Sequence, residues 1–466
     1  MTGNVNPELA AILARVSQRE GVPPALLLGV LASMGDASGK PDFTRIENNL
    51  ARRAGDFRSL QARLAKPSGN DPERDRLQGQ AIQALADGRL AEADRLLALA
   101  EQRNLDGAAA PDALSRDRLL AAAAGRADRG AVAMLHLNPQ AYREAAERYA
   151  EAALIADSAE AGSGLTYAWM QADALARRGA DFSDKAAFVA SIGQLRGMLA
   201  KLDNFDQTVL WAETQLRLAR SLTGLSHYEG GSALLRQVVE IYRTTLEDLT
   251  RAKAPRLWTA LQTRLGEALA RLGEIEDDAG LLDDGVAAFR AGLSGMTRAD
   301  MPREWGRLQW ELGKAHVALG LRASGVSAFE AAVNCFKLVL DDRPRESVPL
   351  DWAEVQDRIG AALVGLARYY NEPVVLEEAI AAFDAALEVR RREIVPSLWA
   401  ESAANRAEAR LELAERIRHR AEAERATTEL VMAIETLRGL GLAAEAKRRE
   451  PKLRRAAVLV ETLRKS

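Results

Sequence analysis

The side chains that most often carry chemistry are few and scattered in this sequence. The single cysteine, Cys335, has no candidate base at a catalytic spacing, and one cysteine cannot form a cysteine-rich metal site. The four histidines lie in unrelated stretches of the chain: His136, His227, His316 and His419. No glycine-rich phosphate loop, nucleophile elbow or paired-histidine metal motif occurs. We therefore predict no catalytic residue, no metal and no cofactor, with His316 and Cys335 as core side chains.

The charged side chains nearly cancel over the whole chain. Lysine and arginine number 63, and aspartate and glutamate number 66, so no global field attracts nucleic acid or an anionic membrane. The acidic stretch from Glu274 to Asp284 lacks the alternating spacing of a calcium loop, and we interpret it as a solvated loop between helices. The C-terminal end is rich in lysine and arginine, which suits either an acidic partner or a solvated final helix. We favour the helix.

Five tryptophans set the period of the chain. They recur every 47 residues, at Trp211, Trp258, Trp305, Trp352 and Trp399. Four of them follow a proline by three residues, and a proline is tolerated in the first turn of a helix but not in its interior. A small residue comes eight positions after each tryptophan, and three of these are glycines: Gly266, Gly313 and Gly360. The pattern predicts a first helix in each repeat, with the tryptophan and the small residue on one face.

Each repeat also contains a predicted second helix, marked by an aromatic residue 31 positions after the tryptophan. These aromatics are Tyr242, Phe289, Phe336 and Phe383. Apolar residues around them are spaced by three and four, which is typical of an amphipathic helix. A single helical hairpin cannot bury such a stripe alone, so the hairpins are expected to stack. We assign the tryptophans, the glycines and these aromatics to the core, so Trp305→Ala should cost about 3–5 kcal/mol.

These hairpins resemble tetratricopeptide repeats. The segment RLGEALARLG at residues 264–273 is similar to the first helix of that family, and AIAAFDAAL at residues 379–387 is similar to the second. The period is longer than the family's usual length of about 34 residues. In this respect the repeats are similar to those of kinesin light chains and to bacterial repeats of the PLDWA type, a form present at residues 349–353. The resemblance spans residues 72–445 and implies an all-α, right-handed α-solenoid of stacked hairpins.

The pattern divides the chain into four parts. Residues 1–66 lie outside the repeat and contain three predicted helices, a small N-terminal head that is either a cap of the array or a separate interaction module. Residues 72–168 predict compact, irregular hairpins, residues 169–445 predict the extended array, and residues 446–466 predict a C-terminal capping helix.

The resemblance also implies a binding surface, because first helices line the concave side of tetratricopeptide superhelices. The positions five and six after each tryptophan carry mixed polar side chains on these helices. The candidates for partner binding are Arg217, Arg264, Trp310, Glu311, Asp357, Arg358 and Asn405. The arginines could bind a carboxylate or phosphate, and Trp310 could anchor a partner. The alternative is that the arginines pair with glutamates of adjacent repeats, and the sequence leaves both open.

The pattern favours a scaffold or adaptor that binds a protein or peptide in this groove, with regulation of a separate effector as one form of that role. A nucleic-acid-binding solenoid is less favoured, and an enzyme with an unrecognised site is the least favoured. Self-association through an end of the array is also open. Glu8 and Arg15 interrupt the place where a secretory signal needs an apolar core, and no apolar run is long enough to span a membrane. We expect a cytoplasmic protein.

Overall fold

The computed structural model describes residues 7–34, 43–67, 71–105, 115–202, 207–323 and 325–465. Within these residues the chain forms twenty α-helices and no β-strand. The chain divides into two compact units, Met1–Leu234 and Leu235–Ser466, which we call unit 1 and unit 2. Inside each unit, helices pack against the next helix along the chain. The prediction of an all-α array of helical hairpins is therefore confirmed, while its right-handed winding stays a prediction.

The helices described in unit 1 are α1 (Pro7–Glu20), α2 (Pro24–Ala32), α3 (Phe43–Leu64), α4 (Pro72–Ala86), α5 (Leu90–Leu105), α6 (Arg116–Leu135), α7 (Pro139–Ala159), α8 (Leu165–Phe182), α9 (Lys185–Leu199) and α10 (Thr208–Leu225). The boundary between the units falls within α11 (Gly231–Asp248). The helices described in unit 2 after it are α12 (Pro255–Glu276), α13 (Ala279–Ser294), α14 (Pro302–Gly320), α15 (Gly325–Asp341), α16 (Pro349–Ala367), α17 (Val374–Val389), α18 (Pro396–Ile417), α19 (Arg420–Gly439) and α20 (Ala443–Lys465).

The first helices of unit 2 begin at the four periodic prolines. These are Pro255, Pro302, Pro349 and Pro396, which begin α12, α14, α16 and α18. A proline at this place removes an N–H group that has no partner inside the helix, and its fixed φ suits the helical backbone. The period of the sequence therefore sets the helix starts directly.

The turn between α12 and α13 is short and carries two aspartates. Asp277 has a left-handed backbone with a φ of 54°, and the Asp278 carboxylate accepts hydrogen bonds from the N–H groups of Gly280 and Leu281. Aspartate is a favoured N-cap because it satisfies donors that the first turn leaves free. The acidic stretch of residues 274–284 is thus mostly helical, and the prediction of a loop there is wrong.

The N-terminal head packs onto the first hairpin of unit 1. Leu26 of α2 and Leu60 of α3 are buried in the same hydrophobic cluster as Leu85 of α4. The turn between α4 and α5 approaches α2 so closely that a Cβ on Gly29 would lie 2.2 Å from the carbonyl oxygen of Gly88. The head and the first hairpin therefore share one hydrophobic core, and the role of the head as a cap or a separate interaction module stays a prediction.

A group of charged side chains is buried where α3, α7 and α8 meet. Arg53 of α3 is 0% exposed and donates to Asp181 of α8 at 2.9 Å and to Asp56 at 3.1 Å. The hydroxyl of Tyr142 on α7 donates to the same Asp181 carboxylate at 2.6 Å. Buried charges are stable only when they are paired and hydrogen-bonded. We call Arg53, Asp56, Tyr142 and Asp181 the buried ion cluster.

In three hairpins of unit 2 a phenyl ring on the second helix packs against a glycine on the first. The three pairs are Gly266 with Phe289, Gly313 with Phe336 and Gly360 with Phe383, and the rings are each 1% exposed. A Cβ on these glycines would lie 2.6, 2.7 and 2.8 Å from the facing ring, in that order. Tyr242, also 1% exposed, holds the equivalent position on α11. Glycine is therefore required here for the close approach of the two helices, and we call these pairs the ring-on-glycine contacts.

The five periodic tryptophans are half-buried, which corrects their assignment to the interior. Trp211, Trp258, Trp305, Trp352 and Trp399 all have intermediate exposure. The reason is their position, because each lies in the first turn of a helix, next to the loop that precedes it. One side of each indole therefore lies at the edge of its repeat.

An arginine from the preceding loop lies over four of these indoles. The pairs are Arg251 with Trp258 at 5.9 Å, Arg298 with Trp305 at 5.5 Å, Arg345 with Trp352 at 5.1 Å and Arg392 with Trp399 at 5.2 Å, from guanidinium carbon to ring centroid. Each arginine precedes its tryptophan by seven residues, so it shares the period of 47. The sequence carried this signal, and the sequence analysis missed it. We call these pairs the arginine–tryptophan stacks.

The final helix, α20, packs against α19 and contacts α18. Arg449 donates to Glu408 of α18 at 2.7 Å, Lys452 lies 3.3 Å from the same carboxylate, and Arg455 donates to Glu415. Part of the basic C-terminal charge is therefore neutralised inside the chain, and this differs from the expectation of a freely solvated helix. Across the described residues, no helix combines the length and the apolar character that crossing a membrane requires.

Candidate functional site on the first helices of unit 2

The first helices of unit 2 present a common polar surface. Successive first helices contact each other, whereas successive second helices pack less closely among the described residues. The first helices of unit 2 therefore lie next to each other on one side of the stacked hairpins. Exposed or half-exposed charged side chains follow this side of α12, α14 and α16: Arg264, Glu267, Arg307, Glu311, Lys314, Glu354 and Arg358. We call this surface the inner face.

Most charges on the inner face are paired with each other. Glu267 accepts hydrogen bonds from Arg264 on its own helix and from Arg307 on α14, both at 2.6 Å. Lys314 lies 2.7 Å from Glu311, one turn away. Exposed ion pairs of this kind contribute only about 0.2–1 kcal/mol each to the stability of the fold. They nevertheless occupy charged groups that would otherwise be available to bind a ligand. Arg264 is therefore paired, but with a glutamate of its own helix and not with one of an adjacent repeat, which was the alternative left open by the sequence.

Arg217 lies in unit 1, on α10, where its neighbours hold it. Its guanidinium carbon is 4.4 Å from the centroid of the Trp169 ring, and its nitrogens lie 3.3 Å from Glu213 and 3.5 Å from Asp173. Trp169 is buried, and its indole N–H donates to Thr214 of α10. Arg217 therefore packs as part of the contact between α8 and α10.

Asp357 and Asn405 join two first helices to each other. Asp357 is 2% exposed, accepts a hydrogen bond from Asn405 Nδ2 at 3.2 Å, and lies 3.9 Å from Arg390. Asn405 Oδ1 in turn accepts from Arg449 at 3.0 Å. The prediction that Asp357 is an exposed binding residue is wrong, because α18 packs over that side of α16.

Trp310 is half-buried and already has two neighbours. Its ring meets Phe336 edge-on, with centroids 5.4 Å apart, and the Arg343 guanidinium lies 5.3 Å from its centroid. Aromatic pairs and cation–π contacts of this kind stabilise the side chain where it is. Trp310 thus helps to hold α14 against α15, and little of its ring area is left for a partner.

Arg358 differs from the other predicted arginines. It is half-exposed on α16, has no ion pair within the described part of the chain, and its buried Nε lacks a hydrogen-bond partner. Glu354, one turn earlier on the same helix, also has no ion pair among the described residues. The inner face therefore contains a guanidinium, Arg358, and one turn away a carboxylate, Glu354, that form no ion pair among the described residues.

Two of the side chains first considered for chemistry, His316 and Cys335, are buried. His316 is 4% exposed, and burial together with the positive charge of Arg290 lowers its pKa to about 4, so its imidazole is neutral at pH 7. Burial raises the pKa of the Cys335 thiol to about 11, which keeps it protonated and weakly nucleophilic. Within the described ranges, no three histidine, cysteine, aspartate or glutamate side chains are placed to hold a metal ion.

Comparisons with known proteins find structural similarity at low sequence identity. No protein family and no curated protein matches the chain. The complex of the TPR2AB domain of yeast Sti1 with pHSP90 is 17% identical, with a TM-score of 0.24, over 68% of this chain and 93% of that chain. The apo quorum sensor NprR from B. thuringiensis is 12% identical, with a TM-score of 0.39, over 89% and 97%.

A signal transduction ATPase with a tetratricopeptide repeat sensor, from Pyrococcus horikoshii, is also similar. It is 12% identical, with a TM-score of 0.36, over 98% of this chain and 72% of that chain. None of these similarities defines a ligand for this chain. The resemblance to tetratricopeptide repeats is confirmed at the level of the repeat, because the 47-residue units of unit 2 are two-helix hairpins.

Proposed function

We propose that the chain is a protein-binding scaffold that holds an extended segment of a partner on the inner face of unit 2. The observation that carries this proposal is Arg358, a half-exposed cation without an ion pair among the described residues. The other charges examined on this face largely neutralise each other. Stacked hairpins also provide a long continuous surface, which favours recognition of a polypeptide. Together these features support an adaptor over an enzyme.

Arg358 favours a partner segment that carries a carboxylate. A guanidinium binds a carboxylate through two parallel N–H donors, and such charge-assisted hydrogen bonds are stronger than neutral ones. Glu354 can accept from a donor of the same segment, since its own charge is also uncompensated. The ion-paired groups around Glu267, which is shared by Arg264 and Arg307, and around Glu311 then form a polar rim beside Arg358.

Affinity capture from native cell extract tests this proposal. The full chain is compared with Arg358→Glu and with Lys337→Glu, a control charge reversal at an exposed lysine on α15 that has no ion pair among the described residues. We expect wild type and Lys337→Glu to retain the same prominent protein and Arg358→Glu to lose it. With that partner purified, Arg358→Glu should weaken binding by roughly tenfold or more.

Two further results decide between this function and its alternatives. Equal affinity of the purified partner for Arg358→Glu and wild type would contradict binding at the inner face. Loss of capture after nuclease treatment of the extract would instead favour a nucleic-acid ligand. Circular dichroism and thermal melting of both variants provide the control for folding, because each change lies on the surface.

A further inference from the structure

Unit 2 contains a second polar site, between its second helices. A cavity of about 480 Å³ lies between α13 and α15, with α14 at its base. Its wall on α13 includes Asp283, Val286 and Arg290, and its base includes His316 and Leu319. A volume of this size falls within the range of about 300–1,000 Å³ that is typical of small-molecule sites.

Two differences from the neighbouring repeats explain why the cavity is here. Ala328 of α15 lines it, at the position where the preceding repeat has Leu281 and the following repeat has Val375. His316 occupies the position where the preceding repeat has Leu269. The smaller side chain opens space between the helices, and the imidazole introduces polar atoms at the base. The site is therefore a local departure from the repeat rather than a general consequence of its packing.

The cavity has charges of opposite sign along one wall. Asp283 and Arg290 are separated by two helical turns, which corresponds to about 10.5 Å of rise. Neither side chain has an ion pair or a hydrogen bond among the described residues. The apolar side chains of Val286 and Leu319 line the space between them. A ligand that satisfies both charges must therefore be positive at one end, negative at the other and largely apolar between them.

His316 adds a polar group without a hydrogen-bond partner at the base of the cavity. Its side chain is 4% exposed, and its Nδ1 is buried without a hydrogen-bond partner. A neutral imidazole offers one donor and one acceptor, so it can bind the C=O or the N–H of an amide. Buried polar groups in proteins are nearly always hydrogen-bonded, so the Nδ1 of His316 offers a hydrogen-bonding position to a ligand in the cavity.

We propose that this cavity binds a short zwitterionic peptide, with its ammonium group at Asp283, its carboxylate at Arg290 and a backbone amide at His316. An extended chain advances about 3.3–3.6 Å per residue, so two or three residues match the separation of the two charges. A free amino acid carries both charges on one carbon and cannot reach both ends. The site shares no residue with the inner face, and the inference does not rest on the proposed function.

Isothermal titration calorimetry of the full chain with tri-alanine tests the proposal. We expect wild type to bind tri-alanine and to bind its N-acetylated or C-amidated forms roughly tenfold more weakly or worse, because each cap removes one charge. Free alanine should bind weakly by comparison. Asp283→Asn and Arg290→Gln should weaken tri-alanine to a similar extent, whereas Glu377→Gln and Lys337→Gln, at exposed positions on other second helices, should not.

A cavity-filling variant separates binding in the cavity from binding elsewhere. Ala328→Leu introduces the side chain type found at Leu281, so it should abolish binding of tri-alanine while the helical content stays unchanged. If that variant fails to fold, the two charge variants still test the site, because Asp283 and Arg290 are exposed at its rim. The proposal is overturned if tri-alanine does not bind at millimolar concentration, or if capped peptides and the charge variants bind as well as the uncapped peptide and wild type.

Discussion

At the contact between α3 and α8 in unit 1, the interior holds a guanidinium, Arg53, surrounded by two carboxylates and a phenol. Inside each hairpin of unit 2 described above, the interior holds a phenyl ring pressed against a glycine. Unit 2 also buries one pair of charged residues, Asp357 and Arg390, but the charged side chains of α12 and α14 pair closer to the surface, across the inner face. The same type of secondary structure is therefore held together by two different kinds of contact.

The difference shows how each unit obtains a specific structure. Arg53 and Asp181 are 128 positions apart, and the hydrogen bond between them forms only when α3 and α8 meet in one arrangement. The ring-on-glycine contacts join neighbouring helices and recur every 47 residues. Unit 1 is therefore specified by unique long-range pairs, and unit 2 by a local contact that is used repeatedly.

The largest effect should come from removing one member of the buried ion cluster. Asp181→Ala leaves Arg53 buried with Asp56 as its one remaining carboxylate partner in the cluster and removes the acceptor of the Tyr142 hydroxyl, so we expect unit 1 to lose about 3–5 kcal/mol of unfolding free energy. Urea unfolding monitored by hydrogen exchange resolves this loss from any change in unit 2.

An apolar replacement of three of the four members of the buried ion cluster is the control for that experiment, since the fourth, Asp56, still pairs with Arg177 at 2.8 Å. Arg53→Met, Tyr142→Phe and Asp181→Leu together should cost less than Asp181→Ala alone, because no unpaired charge remains inside. A larger loss for the triple variant would show that the three side chains do not act as a coupled group, and the contrast between the units would fail.

Two glycine substitutions should change stability in opposite directions. Gly313→Ala places a methyl group 2.7 Å from the Phe336 ring, so we expect it to destabilise unit 2 by about 1–3 kcal/mol. Gly193→Ala on α9 meets no atom within 4 Å and should stabilise unit 1 by about 0.5–1 kcal/mol, as alanine does in open helix positions. Thermal melting measures both, and stabilisation by Gly313→Ala would show that the ring-on-glycine contact is loose.

His316 is a buried titratable side chain in unit 2, at a position where the preceding repeat has Leu269. At pH 7, His316→Leu removes a buried Nδ1 that lacks a partner, and we expect a gain of about 1 kcal/mol. The folded pKa of about 4 lies below the unfolded value of 6.5, so the unfolded chain binds more protons between these pH values. Wild type should therefore lose stability as pH falls from about 6.5 to about 4, and His316→Leu should lose less. Parallel pH profiles of unfolding free energy would contradict this assignment.

The smallest effect should come from the edge of a repeat. Arg298→Ala removes one arginine–tryptophan stack together with an ion pair to Asp342, and we expect a loss of about 0.5–1 kcal/mol because the guanidinium is partly exposed. Arg264→Ala, which removes only an exposed pair with Glu267, should change the melting temperature less. A loss for Arg298→Ala as large as that for Gly313→Ala would mean that the edges of the repeats contribute as much as their interiors.

The sequence was sufficient for those parts of the fold that repeat. The prolines that begin α12, α14, α16 and α18, and the rings of the ring-on-glycine contacts, follow from the period alone. The burial of the periodic tryptophans did not follow from the period. The residues around a tryptophan in the sequence are the same type whether or not another part of the chain covers the outer side of its ring. Half-burial means that Trp305→Ala should cost less than the about 3–5 kcal/mol of a fully buried ring.

The candidate site was harder to predict than the repeat. Arg264, Asp357 and Arg358 lie five or six positions after a tryptophan, and the sequence predicts the same exposed binding role for all three. In the structure Arg264 forms an ion pair, Asp357 is buried, and Arg358 has no ion pair among the described residues. These outcomes depend on side chains of adjacent helices, which the period does not specify. The buried ion cluster of unit 1 was missed for the same reason, since nothing close to Arg53 in sequence marks Asp181 as its partner.

The equal spacing of the arginine–tryptophan stacks bears on how this protein can change during evolution. A stretch of DNA that runs from the codon of one stacking arginine to the codon before the next encodes a complete set of contacts with both of its neighbours. Duplication or deletion of such a stretch joins surfaces that already fit one another. Unit 2 can therefore gain or lose whole 47-residue repeats while each remaining repeat keeps its local geometry. Unit 1 cannot change in this way where it depends on pairs such as Arg53 and Asp181, which occur once.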